Sequence, residues 1–146
     1  MEAILGFFAA LFVTVSSIFS PTPTPTPTPI PTIIEMYQAK GETERYPFRV
    51  RYVLWFPKAG GEARGDIRGY LITSDNETCS ASFRGLYGGN RLTGDIDGVC
   101  NILFLNQKIT GTFTGDVDIQ QRSVSGWVNG SVGSVKFSEY AYMGLQ

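Results

Sequence analysis

From residue 33 onward, apolar and polar side chains alternate with a period of two, most sharply between Lys108 and Ile119. Ile109, Gly111, Phe113, Gly115, Val117 and Ile119 fall on one side of an extended strand. Lys108, Thr110, Thr112, Thr114, Asp116 and Asp118 fall on the other. Successive side chains of a strand point to opposite faces, so such a segment has one face in a core and one in water. No window of this region carries a helical apolar stripe. The region is therefore expected to be all-β, with strands over Ile33–Lys40, Tyr46–Phe56, Gly65–Thr73, Cys79–Tyr87, Leu92–Leu105, Lys108–Ile119, Arg122–Val132 and Val135–Met143.

Turn chemistry joins these strands into a meander. A loop over Gly88-Gly89-Asn90-Arg91 sets Tyr87 opposite Leu92, Phe83 opposite Ile96, Gly85 opposite Gly94 and, on the outer face, Arg84 opposite Asp95. The same register brings Cys79 opposite Cys100. Facing residues lie ~4.5–5.5 Å apart at Cα, so these two cysteines, the only ones in the chain, are expected to form a disulfide. Two-residue turns at Asn106-Gln107, Gln120-Gln121 and Gly133-Ser134 keep the apolar faces together through the remaining strands. An alternative cut at Asp97-Gly98 splits the fifth strand and puts Asn101 on the inner face. A one-residue slip would turn every core side chain outward, so agreement between successive hairpins constrains the fold more than any one turn does.

Inward glycines at positions 69, 85, 94, 98, 111, 115, 126 and 130 permit strong coiling and leave room for neighbouring Phe rings. A coiled meander removes its exposed edges by closing. The expected fold is an eight-stranded antiparallel up-and-down barrel, with a β-sandwich as the alternative. Phe48, Tyr52, Phe56, Phe83, Phe104, Phe113 and Phe137 are expected inside. A barrel of this size is either filled by side chains or hollow enough for one small apolar ligand.

Two segments precede the barrel region of residues 33–146. Residues 1–20 are almost continuously apolar and read as a signal peptide or a membrane anchor; an uncleaved anchor would make the membrane a partner. Residues 21–32 alternate Pro with Thr and read as a stiff linker reaching roughly 37 Å if extended. The order describes an extracytoplasmic, surface-displayed or secreted domain, the setting in which a disulfide persists.

The chain has 12 basic and 13 acidic side chains and no histidine. Balanced charge argues against nucleic acid as a partner, and the missing histidine removes the commonest general base and metal ligand. Nothing points to an enzyme or a cofactor.

The candidate binding residues lie on the outer wall. The register implied by the Asn106-Gln107 turn places Asp97 opposite Asp116 and Asp95 opposite Asp118, a ladder of carboxylates whose oxygens could attract calcium, although a flat wall rarely wraps about six to eight ligands around an ion. Beside it, Trp127 is expected opposite Tyr140 and Tyr142 opposite Ser125. Aromatics next to acids and hydroxyls suit a glycan or a protein partner. Glu139 shares the inward parity of Phe137 and Ala141; it needs a mouth position, an Arg or Tyr partner, or a frayed strand. The sequence thus supports a non-catalytic binding or structural module, recognising a glycan or protein through the outer wall or, alternatively, carrying a small apolar ligand inside.

Overall fold

The computed structural model describes residues 22–28 and 33–146. The leader expected over residues 1–20, with positions 21 and 29–32 of the linker, lies outside the described residues. Residues 22–28 are exposed and form neither helix nor strand, consistent with a missing backbone donor at every proline. No helix among the described residues is long and apolar enough to cross a membrane.

Residues 36–145 form eight strands: β1 (Met36–Arg45), β2 (Phe48–Pro57), β3 (Gly61–Leu71), β4 (Glu77–Gly88), β5 (Arg91–Ile102), β6 (Leu105–Asp118), β7 (Ser123–Val132) and β8 (Val135–Leu145). They close in chain order into an antiparallel barrel. The β4–β5 register is the expected one, with Tyr87 opposite Leu92, Phe83 opposite Ile96 and Cys79 opposite Cys100. Its loop is tighter than expected: Gly88 pairs with Arg91, leaving the two-residue turn Gly89-Asn90, both with positive φ. The β6–β7 and β7–β8 registers also follow the sequence, including Gly115 opposite Gly126 and Gly130 opposite Phe137. Ile119, expected inside, is exposed in the β6–β7 loop, because β6 ends at Asp118.

The β5–β6 hairpin differs. Its turn is Leu103-Phe104, not Asn106-Gln107, and Ile102 pairs with Leu105. Asp97 therefore faces Thr110, six positions before the expected Asp116. An even shift keeps every side chain on its own face, so the core survives the change of register while the outer-wall neighbours do not. Phe104, expected in the core, lies in the turn and is exposed.

The barrel is unevenly filled. Towards the end that holds the β4–β5 turn, Phe56, Leu92, Val124 and Met143 are almost fully buried, and Phe56 stacks between Tyr37 at 5.5 Å and Tyr87 at 4.7 Å. Phe83 and Phe113 meet edge to face across the interior at 6.1 Å. Their rings occupy space that side chains at Gly85, Gly94 and Gly115 would need. At the other end the inward side chains do not meet and an opening remains.

The closure itself is short. β1 pairs with β8 only at Ala39↔Leu145 and Lys40↔Gly144, against ten register pairs between β1 and β2. The strands still abut at Gly41, whose Cβ, if it had one, would strike Met143. Beyond it the backbone ladder does not continue towards Arg45.

Candidate functional site

The open end is an apolar cup of about 570 Å³. Val50, Ile67, Ala81, Ile96, Ile109 and Val132 line it, and the Cys79–Cys100 disulfide forms part of its wall. Each is an inward position of its strand. Phe48, Tyr52 and Phe137 line the cup as well, so its wall is largely apolar while its side chains leave the centre unfilled.

A few polar groups sit at the rim. Arg45 Nη1 lies 2.6 Å from Glu139 Oε2 and joins β1 to β8 where their backbones no longer pair. Glu139 is thus inward and part-buried on an intact strand opposite Val128, and the frayed-strand expectation does not hold. Tyr52 is buried and shares a hydrogen bond with Thr43, 2.9 Å between oxygens. Gln107 and Lys136 complete the polar part of the mouth. One wet side and an otherwise oily wall suit an amphiphile or a compact apolar molecule.

Burial raises the Tyr52 phenol above its ordinary value near 10, the negative charge of Glu139 adds to the rise, and the Thr43 hydrogen bond opposes it. A folded-state pKa above the unfolded one means that the native state holds the proton more tightly. The associated stability is complete below pH ~10 and is lost as pH climbs through the folded pKa. Thermal melts between about pH 8 and about pH 11 should therefore fall more steeply for the wild type than for Tyr52→Phe. Parallel curves would refute the assignment.

The outer-wall candidates are partly gathered. Trp127 and Tyr140 face each other with ring centroids 5.3 Å apart, and Tyr142 lies opposite Ser125, as expected. Asp116 neighbours Ser125 and is 3.4 Å from Arg91, so this one acid borders the aromatic patch. The acid ladder is not formed. Asp97 lies 3.5 Å from Lys108, Asp95 sits between Arg84 and Thr112, and Asp118 accepts the backbone N–H of Gln121 at 2.9 Å. The cause is the β5–β6 register. Among the described residues no group of three or more His, Cys, Asp or Glu side chains is placed to hold a metal ion.

Sequence reasoning missed Arg45 and Thr43, because it ended the first strand at Lys40. Running the alternation Tyr37, Ala39, Gly41 two steps further would have found both.

These features define an antiparallel β-barrel with an apolar cup. No family model, no curated protein and no solved structure matches the chain.

Proposed function

We propose that this domain is a non-catalytic carrier that holds one small apolar or amphiphilic molecule in its open end, outside the cytoplasm. The carrying observation is the cup: its volume of about 570 Å³ falls in the ~300–1,000 Å³ range of small-molecule sites, and its polar groups are confined to the rim. The Cys79–Cys100 disulfide and the Thr-Pro segment that precedes the barrel support an oxidising, extracytoplasmic setting. Ile67→Trp adds an indole to the cup wall. It should lower binding of the fluorescent probe anilinonaphthalene sulfonate by at least about tenfold while the far-ultraviolet circular dichroism stays that of the wild type. Unchanged probe binding in a folded variant would refute the proposal.

A second reading rests on the exposed Trp127–Tyr140 pair with Tyr142 and Asp116, a surface suited to stacking on a sugar ring or to a protein contact. Here Trp127→Ala should abolish retention on glycan arrays, and equal retention would refute it.

A further inference from the structure

Cys100 and Gln107 are the last facing pair of the β5–β6 hairpin of which both members line the cup. Beyond them the hairpin continues through Asn101↔Asn106 and Ile102↔Leu105, closing in the turn Leu103-Phe104. This outer part is braced at its base by the disulfide to β4 and across its width by a hydrogen bond from Asn101 Nδ2 to Asn106 Oδ1 of 3.1 Å. Its tip is apolar and bare: Leu103 is 84 %, Phe104 99 % and Leu105 62 % exposed. From Cys100 to Gln107 the sequence carries no charge.

Two observations set this tip apart from an ordinary turn. Leu103 and Phe104 have φ of 51° and 66°, a left-handed pair that two-residue hairpins normally assign to Asn and Gly. The β4–β5 turn of the same barrel does use Gly89-Asn90 for this conformation. Bulky residues there are strained as well as solvent-exposed, and a fold selected for stability alone would not keep them. Secondly, the tip continues the cup. Ile102 lines the cavity, and Leu105, its partner and of the same parity, extends that wall past the rim. Val135 and Tyr46, exposed apolar groups, also line the mouth.

We infer that the β5–β6 tip docks into the surface of a lipid bilayer, placing the mouth of the cup against the apolar phase from which its ligand is drawn. This deepens the carrier reading and rests on it. A bilayer is the occupant favoured because three tip side chains fall far short of the ~1,200 Å² that a specific protein interface buries. A lipid surface demands no shape match, only apolar groups without charges to dehydrate. The hairpin satisfies its own ladder hydrogen bonds up to the turn, which limits the cost of entering the headgroup region.

The test uses the full chain with phosphatidylcholine vesicles. In Phe104→Trp, brominated acyl chains should quench about half of the emission added by the new indole, while the wild-type emission of Trp55 and Trp127 stays unquenched. Equal emission of the variant in brominated and plain vesicles would overturn the proposal, as would equal quenching of the wild-type tryptophans. The second variant is Leu103→Asn/Phe104→Gly, which installs the favoured turn pair and should melt above the wild type. It should load anilinonaphthalene sulfonate from solution as the wild type does, yet take up a pyrene-labelled fatty acid from vesicles about tenfold more slowly. Unslowed uptake sinks the docking role alone. Failure of the wild type to load the probe from solution sinks the carrier reading, and with it this one, whatever the quenching result.

Discussion

Gly126→Ala is expected to cost ~3 kcal/mol, the upper end for overpacking, and to leave a closed but much weakened barrel. Gly126 faces Gly115 across β6 and β7, one of three directly opposed glycine pairs with Gly85↔Gly94 and Gly111↔Gly130. A Cβ at Gly126 would run into the carbonyl oxygen of Thr114 and the Cα of Gly115. Both obstacles are backbone, so no rotamer change relieves the clash and the two strands have to part. Total stabilities of small domains run from about 5 to 15 kcal/mol, and such a loss is a large share. Gly88→Ala is the matched control: a Cβ there meets nothing within 4 Å, and its effect should stay within ~0.5 kcal/mol. Urea denaturation of both variants checks the pair of expectations. A Gly126→Ala protein as stable as the Gly88→Ala control would refute the close-approach account of the glycines.

Replacing both cysteines, as Cys79→Ala/Cys100→Ala, should lower stability by about 3 kcal/mol. The bond closes a loop of 21 residues that is already the β4–β5 hairpin, so its main action is on the unfolded chain, whose ends it holds together. The same bond stands at the base of the protruding part of β5 and β6 and in the wall of the cup. Its removal should therefore weaken probe binding as well as stability. Chemical denaturation beside thiol titration of the wild type separates these effects: no stability difference between a fully oxidised wild type and the variant would count decisively against the assignment.

Face and register are legible to different degrees in this sequence, for a physical reason. Parity depends only on period, and Ile109 to Val117 could be assigned to the core without knowing any partner strand. Register depends on the turn. Gly89-Asn90 and Gly133-Ser134 carry residues that accept positive φ, and their hairpins pair as the sequence suggests. Leu103-Phe104 carries none of that chemistry, while the polar Asn106-Gln107 nearby resembles a turn more closely. The apolar wall was consequently readable, the disulfide with it, and the acid ladder of Asp95, Asp97, Asp116 and Asp118 was not. Whether the interior is full could not be read either, since volume depends on how Val50, Ile67 and Ile109 from three separate strands converge at one end. The Trp127–Tyr140 contact was readable because it lies within a hairpin with an unambiguous turn.

The join between β1 and β8 has a mechanical consequence. A cylinder stitched along all but one of its contacts, and there for two residues only, is rigid in circumference at one end and compliant at the other. The compliant end is the one with the cup, and among the described residues the one ion pair between its lips is that of Arg45 with Glu139, reachable by water. Contacts of that kind contribute little, about 0–1 kcal/mol, so the bore can widen by parting this slit without disturbing the seven hairpin ladders, of which only β3–β4 carries a register shift, at Gly69 and Tyr70.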